Sequence, residues 1–299
     1  MQLIQRSETN FYMEIEDATG TGAIDVYTVF PGICVAYSDF NLLRYDSHYM
    51  DNSKMIGVEH CREGKIEWTL ENGDFAYIGS GSLRPCYYGK NEGHFEFPLH
   101  AYQGVSFSME FPEAEHGLPD GFPVDCGALK ERIMTSENLD LSDHAEASRV
   151  FGLLYDAQKK TDLHRKLACL QLLLFLDELK WQENTAKPLY FPRAQVEHIK
   201  EIERFLTSHL DQRYTLKALS QKFGLPVNTI RRCYAGVFGC SVAAYMKKYR
   251  MEEAMARLGS GTEKISQIAA SLGYENASKF SEAFRAHTGM SPQHYRDQY

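Results

Sequence analysis

The chain has 299 residues, of which 43% are hydrophobic and 12% aromatic, so it has material for about two domains with buried cores. This composition excludes a disordered, collagen-like or rod-like coiled-coil protein. The net charge of −8 is divided unevenly, because residues 194–299 hold 15 Lys and Arg against 10 Asp and Glu, whereas residues 1–193 hold 17 against 30. The asymmetry indicates a polyanionic partner for the C-terminal part. An equally good explanation is that surface charge varies along the chain without any function.

The cysteines and the apolar segments indicate the compartment of the protein. The seven cysteines are odd in number and never have Cys-x-x-Cys spacing, which predicts reduced thiols rather than disulfides. The first residues lack the apolar core of a signal peptide. The longest apolar runs, such as Leu172–Leu176, are far shorter than the ~18 residues of a membrane helix. We therefore expect a soluble, cytoplasmic protein with no membrane partner.

Residues 20–112 have the pattern of short β-strands joined by tight turns. Pro31-Gly32 and Glu71-Asn72-Gly73 are the clearest turn signals. The predicted strands are Ala23–Phe30, Ile33–Phe40, Lys65–Leu70, Asp74–Ile78, Ser82–Tyr88 and Ala101–Phe111. This pattern favours a sandwich or a small antiparallel barrel, and a barrel of this size can hold one small ligand in its mouth.

Residues 143–181 change to a helical period, with four leucines on one helix face and four more over most of the remaining surface. These are Leu163, Leu167, Leu170 and Leu174 on the first face, and Leu172, Leu173, Leu176 and Leu179 on the rest. A helix that is apolar nearly all round must be buried on two sides. One side can pack on the barrel; the other can pair with a second subunit, which predicts a homodimer, or belong to the core of the same chain. Asn184–Pro192 then has the composition of a linker.

Residues 194–299 are predicted to be helical throughout, and they contain an internal repeat. The two copies are Leu216–Ser241 and Ile265–Ser291, with one extra residue in the turn of the second. In each copy a short helix ends at a glycine, Gly224 or Gly273, and a second helix follows after a tight turn. This is the plan of a helix-turn-helix motif, whose second helix enters the major groove of DNA.

The second helix of each copy has two inward apolar residues spaced i, i+4, and an asparagine near its start that is predicted to cap it. The inward residues are Ile230 and Tyr234 in the first copy and Phe280 and Phe284 in the second, and the asparagines are Asn228 and Asn276. One long helix, Ser241–Leu258, is predicted to join the copies. Such a helix would hold the two copies of the repeat at the separation of about 34 Å that successive major grooves require.

The repeat resembles the DNA-binding domain of the AraC/XylS family of transcription regulators over residues 195–299. The residues that match the family's signature are Ile268-Ala269, Gly273-Tyr274, Phe280, Phe284, Gly289, Ser291-Pro292 and Tyr295-Arg296. The resemblance implies an α+β multidomain protein. Its expected parts are a cupin-like antiparallel β-barrel with the effector site over residues 1–142, a helical dimerisation segment and linker over 143–193, and an all-α domain with two helix-turn-helix motifs over 194–299.

The resemblance also implies which residues read DNA bases. On the second helix of the first copy these are Asn228, Thr229, Arg231 and Arg232. Arginine can bind guanine through two hydrogen bonds, and asparagine can bind adenine in the same way. The alternative is that the two arginines contact only phosphates or solvent.

On the second helix of the second copy, Ser278, Lys279 and Glu282 occupy the matching face. Glu282 departs from the arginine that is frequent in the family, and a carboxylate is repelled by phosphate unless it accepts a hydrogen bond from cytosine. The second half-site is therefore expected to be read weakly. Alternatively, Glu282 faces solvent and pairs with Arg285.

Basic residues elsewhere in this region are candidates for contact with DNA phosphates, although most surface lysines are only solvated. They are Lys217, Lys222, Lys247, Lys248, Arg285 and Arg296. Arg250 lies inside the predicted long helix, and we expect it to form a structural ion pair with the nearby Glu252 or Glu253.

The barrel offers no clear metal site or effector residue. His48, His60, His94 and His100 have no spacing that converges on a metal ion, so neither a metal nor a cofactor is expected. Six tyrosines could line a pocket, but at strand spacing such residues more often form core. They are Tyr27, Tyr37, Tyr45, Tyr77, Tyr87 and Tyr88.

The resemblance therefore implies a sequence-specific regulator of transcription without enzymatic activity. The expected form is an effector-responsive activator that binds double-stranded DNA as a dimer. A small-molecule effector in the barrel and contact with RNA polymerase are the further partners it implies. Two other interpretations remain: a cupin-type enzyme with an appended DNA-binding domain, against which the missing metal ligands argue, and a sensor whose N-terminal part binds another protein.

Overall fold

A computed structural model describes residues 2–7, 9–46, 54–70, 72–88, 93–185, 190–261 and 263–298. The chain divides into two compact units, residues 1–190 and residues 191–299. The boundary lies inside the predicted linker Asn184–Pro192. Three residues discussed above lie outside the described residues: the histidine His48, Glu71 of the predicted turn and Pro188 of the predicted linker.

The described part of the first unit begins with antiparallel strands. Their bounds are β1 Gln2–Ser7, β2 Asn10–Asp17, β3 Gly20–Phe30, β4 Ile33–Asn41, β5 Arg44–Asp46, β6 Met55–Thr69, β7 Phe75–Gly79, β8 Ser82–Tyr87, β9 His94–Glu96 and β10 Tyr102–Glu110. They pair in the order β1-β2-β3-β4-β10-β6-β7, while β8 and β9 also pair with β6 and β5 pairs with β9. The strands form an antiparallel half-barrel, which is consistent with the predicted cupin-like barrel.

The predicted turns and strands of this unit are confirmed, and two further strands precede them. Gly32 lies in the turn between β3 and β4 with φ +67°, a conformation that favours glycine, and Gly73 has φ +83° between β6 and β7. The strands β1 and β2 were not predicted. In β2 the exposed positions include Glu14, Glu16 and Asp17, which weaken the apolar alternation that marks a strand.

The sheet has two different faces. Along β4, Val35 and Tyr37 belong to the larger core, whereas Ala36 and Ser38 line a cavity on the other face, because side chains alternate along a strand. The larger core is completed by three helices, α1 Cys126–Thr135, α2 Ala145–Ala157 and α3 Asp162–Glu178. The prediction of helix over residues 143–181 is confirmed, as two helices, and α1 was not predicted.

The helix α3 buries one side and exposes the other. Leu172, Leu173 and Leu176 are fully buried in the larger core. Leu163 and Leu167 are 63% and 52% exposed. Leu170 and Leu174 of the same predicted face are half-buried and pack against the larger core, so only its first half is exposed.

The second unit is helical throughout, as predicted. Its helices are α4 Arg193–Thr207, α5 Leu216–Phe223, α6 Val227–Phe238, α7 Val242–Ser260, α8 Ile265–Ser271, α9 Ala277–Thr288 and α10 Pro292–Gln298. Two short strands precede them in the chain: β11 Leu139–Asp140, which pairs with β8 of the first unit, and β12 Tyr190–Phe191 at the boundary. Among the described residues of both units, no helix combines the length and the apolar character that crossing a bilayer requires.

Candidate nucleic-acid interface and ligand cavity

The helices α5 and α6, here called the first helix pair, are joined by a tight turn. The side chain of Thr215 accepts a hydrogen bond from the Ala218 amide at 3.1 Å and so caps the start of α5. Gly224 ends α5 with φ +68°, as predicted. Ile230 and Tyr234 are completely buried beneath α6, which confirms them as the inward residues.

The predicted cap of α6 is wrong. Pro226 occupies the N-cap position, because its fixed φ suits the start of a helix, and Asn228 therefore lies within the first turn. The side-chain oxygen of Asn228 instead accepts a hydrogen bond from Arg231 Nη1 at 3.2 Å.

The exposed side of α6 carries the residues that were predicted to read bases. Asn228, Arg231 and Arg232 are exposed and follow the i, i+3, i+4 spacing of one helix face, and Thr229 is half-buried beside them. Neither arginine forms a salt bridge with a described residue. The face thus exposes two guanidinium groups to solvent.

The second helix pair, α8 and α9, repeats the arrangement with a different surface. Asn276 caps α9 as predicted, since its side-chain oxygen accepts from the Lys279 amide at 2.9 Å. Phe280 and Phe284 are completely buried beneath α9. The residues that face outward are Ser278, Lys279 and Glu282, all exposed.

The charges on α9 are arranged differently from those on α6. Lys279 Nζ lies 2.6 Å from Glu275 Oε2, so the ammonium group forms a salt bridge with a neighbouring carboxylate. Glu282 forms no salt bridge with Arg285 within the described residues 263–298. This second face therefore offers less positive charge to a polyanion than the first.

The segment between α4 and α5 connects the two helix pairs within the unit. Arg250 of α7 is buried, and its Nε and Nη2 donate to the carbonyl oxygens of Leu210 at 3.1 Å and Gln212 at 2.8 Å. The expected ion pair of Arg250 with Glu252 or Glu253 is wrong, because backbone carbonyls of this segment take its hydrogen bonds. Its structural role stands.

The turn of the second helix pair packs against the same segment. Gly273 has φ +73°, and a Cβ atom there would lie 2.8 Å from the Leu210 carbonyl oxygen and 2.9 Å from that of Asp211. Arg213 Nε also donates to the Gly273 carbonyl at 3.3 Å. The close contact, together with Arg250, holds the second pair against the chain that leads into the first.

The candidate phosphate contacts differ in how free their side chains are. Lys217, Lys247 and Arg285 are exposed. Lys222 lies 4.4 Å above the ring of Phe205, and Lys248 Nζ lies 3.6 Å from Glu252. Arg296 is half-buried and donates to the Glu263 carbonyl at 2.6 Å, so this side chain has a partner inside the unit.

The half-barrel of the first unit contains a cavity of about 140 Å³. Its walls come from β3, β4, β5, β6, β8, β9 and β10. The lining residues are Ile24, Val26, Cys34, Ala36, Ser38, Phe40, Tyr45, Met55, Glu59, Ile66, Arg84, Cys86, Tyr88, Phe95, Phe97, Ser106 and Ser108. Of the six tyrosines considered from the sequence, Tyr45 and Tyr88 line this cavity.

A buried ion pair lies in the wall of the cavity. Arg84 Nη2 and Nε donate to Glu59 Oε2 at 2.5 and 3.2 Å, and the Tyr102 hydroxyl donates to Glu59 Oε1 at 2.7 Å. None of these three residues was predicted from the sequence to belong to a site. The available signal was a charged residue at an inward position on each of two strands that pair with each other.

Two of the histidines that were considered as metal ligands, His60 and His94, have local partners. His60 is buried, its ring stacks on Phe151 with centroids 3.9 Å apart, and its Nδ1 lies 3.2 Å from the Tyr155 hydroxyl. Burial disfavours the charged form and lowers the pKa of His60 to about 4. His94 lies 2.6 Å from Asp46. Among the described residues, no group of three or more His, Cys, Asp or Glu side chains is placed to bind a metal ion.

Comparison with known proteins identifies the class of this molecule. A family model described as a helix-turn-helix domain matches residues 219–298. The HTH-type transcriptional regulator YisR of Bacillus subtilis is 30% identical over 249 residues, which are 80% of this chain and 82% of YisR. The HTH-type transcriptional activator RhaR of Mannheimia succiniciproducens is 24% identical over 141 residues, 47% of this chain and 49% of RhaR. These relatives define a helix-turn-helix regulator of transcription.

Among solved structures, the C-terminal domain of AraT, a response regulator from Geobacillus stearothermophilus, is 27% identical and covers 34% of this chain and 85% of that domain, with a TM-score of 0.33. The chain belongs to the AraC/XylS family of DNA-binding transcriptional regulators.

Proposed function

We propose that this protein recognises a specific DNA sequence by inserting α6 and α9 into two successive major grooves. In this proposal the regulatory domain spans residues 1–142, the dimerisation segment and linker 143–193, and the two helix-turn-helix motifs 194–299. The observation that carries it is the exposed face of Asn228, Arg231 and Arg232 above the buried support of α6. The equivalent arrangement of α9 supports a second reading helix.

Base recognition is assigned unequally to the two helices. Arg231 and Arg232 would bind guanine, and Asn228 adenine, with Thr229 beside them. On α9, Ser278, Lys279 and Glu282 would read the second half-site. This reading is weaker, because Glu275 already holds the Lys279 ammonium and Glu282 tolerates only a donor such as cytosine N4.

Phosphate contacts would fix the protein on the duplex without reading its sequence. We assign Lys217, Lys247 and Arg285 to this role on their exposure. Lys222 and Lys248 join them, since both side chains are exposed although they contact Phe205 and Glu252. Arg296 would contribute through the part of its guanidinium that the Glu263 carbonyl leaves free.

Dimerisation is assigned to the exposed apolar face of α2 and α3. Leu153, Leu163 and Leu167 are 38%, 63% and 52% exposed, although leucine is normally a buried residue. A second copy of the chain that covers this face would remove the apolar surface from water. A dimer would place two DNA-binding domains on neighbouring sites.

Control by a small-molecule effector is assigned to the cavity of the half-barrel. The strands that line the cavity also contact α2 from their other face: the Tyr37 hydroxyl donates to the Leu154 carbonyl at 2.8 Å, and His60, next to Glu59 in β6, stacks on Phe151. Occupation of the cavity would therefore shift the segment that pairs the two subunits. We expect the bound complex to activate transcription through contact with RNA polymerase.

The direct test is selection of bound DNA from a random pool with the purified full-length protein. We expect an enriched motif in which a strongly specified half-site lies about 10 base pairs from a weakly specified one. Footprinting of the selected DNA reports the number of protein copies bound. A pool that yields no common sequence would contradict sequence-specific binding.

A further inference from the structure

The second unit contains a cleft between its two helix pairs. The walls come from the end of α4, the chain before α5, the start of α5, the first half of α7, the turn between α8 and α9, and α9 itself. The volume of the cleft is about 520 Å³, which lies within the range of roughly 300–1,000 Å³ for sites that hold small organic molecules. Leu216 belongs to the first helix pair, and Tyr274 and Ala283 belong to the second. A molecule in the cleft would therefore contact both pairs.

The charged residues that line the cleft all have the same sign. They are Arg213, Lys247 and Arg250, and among the described residues the lining contains no Asp or Glu. None of the three cations forms a salt bridge with a residue that the structure describes. Lys248, the next residue after Lys247, does form one, with Glu252 at 3.6 Å. The cleft thus collects positive charge that no carboxylate of the described chain neutralises.

Two of these positive charges repel each other. Arg250 is buried, and two backbone carbonyls hold its guanidinium. Arg213 Nε donates to the Gly273 carbonyl at 3.3 Å, and the Arg213 guanidinium lies 5.4 Å from the centre of the Tyr274 ring. Burial lowers the pKa of Arg250, and the nearby charge of Arg213 lowers it further. An anion in the cleft would offset this repulsion.

Most of the remaining lining is apolar. Six side chains, here called the apolar floor, form it: Leu206, Leu216, Val242, Ala243, Met246 and Ala283. An inorganic ion would leave the apolar floor in contact with water, whereas a compound with an apolar body would cover it. A DNA duplex carries its phosphates on a convex outer surface, so it would meet the cations at the rim and leave the apolar floor uncovered. The lining therefore favours a free organic anion.

The number and the type of the cations select the anionic group. A guanidinium binds phosphate or carboxylate through two parallel hydrogen bonds, and an ammonium binds phosphate as a point charge. Several positive charges without a negative one suit a doubly charged group better than a singly charged carboxylate. A phosphate monoester carries a charge of about −1.5 to −2 near neutral pH and three acceptor oxygens.

We infer that this cleft binds a free organic phosphate monoester whose phosphate contacts Arg213 and Lys247 while its apolar body covers the apolar floor. Lys247 is also assigned to a DNA phosphate, so the bound compound should compete with DNA. The competition rests on the proposed function, whereas the binding of the compound does not.

The test measures binding to the full-length protein without DNA, by calorimetry and by thermal melting. The probe is naphthyl phosphate, and it is compared with inorganic phosphate, which has no apolar body, and with naphthol, which has no charge. We expect naphthyl phosphate to bind, to raise Tm and to lose affinity as salt is added. Each of the two comparison compounds should bind at least about tenfold more weakly.

Two matched pairs of variants on α7 locate the bound compound. Lys247→Gln should weaken binding by about fivefold to tenfold, whereas Lys248→Gln, which lies outside the lining, should leave binding in the absence of DNA unchanged. Ala243→Leu fills the cleft and should abolish binding, whereas Ala244→Leu, also exposed but outside the lining, should not. Melting curves show whether each variant folds.

Four results would overturn the inference: no binding of naphthyl phosphate, inorganic phosphate that binds as tightly, binding that survives in folded Ala243→Leu, or equal losses for Lys247→Gln and Lys248→Gln. Binding to the selected DNA separates the two sources of phosphate. Folded Ala243→Leu should bind that DNA within about twofold of the parent protein, because the change lies on the surface below the rim. If this variant lost DNA binding as it lost the compound, a DNA strand would occupy the cleft, and the inference would be wrong.

Competition titrations of the selected DNA against naphthyl phosphate test the regulatory consequence. We expect the compound to lower the affinity for DNA in the parent protein and to have no effect in Ala243→Leu. A compound that binds and leaves the affinity for DNA unchanged contradicts the competition and leaves the assignment of the ligand intact. Failure to select any DNA sequence would contradict the proposed function without affecting the binding measured in its absence.

Discussion

The first helix pair exposes two arginines on α6, whereas at the matching face of α9 the second pair exposes a lysine held by Glu275 and the acidic Glu282. Beneath these surfaces the two pairs are alike, with completely buried residues spaced i, i+4 in each. The comparison teaches that the buried residues beneath α6 and α9 can stay alike while the charges on the exposed faces of the two helices differ. A duplicated scaffold can thus carry one strongly reading helix and one that mainly positions the protein on DNA.

The largest difference between the pairs is expected in their turns, at Gly273 and Gly224. Gly273→Ala should lower the free energy of unfolding by about 2–4 kcal/mol, because it combines a positive φ with overlap against two backbone carbonyls. Gly224→Ala is the matched control: its φ is +68°, but a Cβ there meets nothing within 4 Å. Gly224→Ala should lower the free energy of unfolding by only about 1 kcal/mol.

Urea denaturation of the two variants checks this prediction. If Gly273→Ala and Gly224→Ala lowered the free energy of unfolding equally, the turn between α8 and α9 would not be held against the Leu210–Gln212 segment. Gly273→Ala should also weaken binding to DNA with both half-sites, and the Gly224→Ala protein at matched temperature serves as reference.

The next largest effect separates the two reading faces. Arg232→Ala should lose about 1–3 kcal/mol of binding to the selected DNA and remove the preference for one base pair. Lys279→Ala should lose less, because Glu275 already balances its charge. Titrations on the selected sequence and on single-base variants measure both. A larger loss for Lys279→Ala would reverse the assignment of strong and weak half-sites.

A smaller effect concerns sequence-independent binding. Lys248→Ala should weaken binding to all sequences alike and reduce the slope of log affinity against log salt by about one unit. Glu275→Gln, which frees Lys279, should change the slope in the opposite direction. An unchanged slope for Lys248→Ala would remove this residue from the phosphate contacts.

The smallest effect is expected at Glu282. Glu282→Gln removes a negative charge from the surface that is proposed to face DNA, and it should tighten binding to DNA by less than about 1 kcal/mol. Competition titrations against the parent protein at low and high salt measure it. Tighter binding by the parent protein would indicate that the carboxylate accepts a hydrogen bond from a base.

The second unit could be predicted closely because its signals are local. Helical periods, the glycines that end helices and the duplicated spacing lie within short stretches of chain. Two predictions in this unit were wrong because another residue or group took the expected position or hydrogen bond. Asn228 loses the cap position to Pro226, and Arg250 binds carbonyls that lie about forty residues earlier, which i, i+4 reasoning does not reach.

The first unit was predicted less completely because its site is assembled from distant segments. Glu59 and Arg84 meet across a strand pair, and the small residues of β4 and β10 that line the cavity are adjacent only in the folded sheet. Neither a charged residue in a strand nor a row of serines and alanines identifies a cavity without the strand register.

The most direct measurement of the central claim is guanine methylation interference on the selected DNA, bound by the full-length protein. We predict interference in two neighbouring major grooves on one face of the duplex, about 10 base pairs apart, with the stronger signal lost in Arg232→Ala. Interference confined to a single groove, or located on opposite faces of the duplex, would contradict recognition by two helices held at a fixed separation.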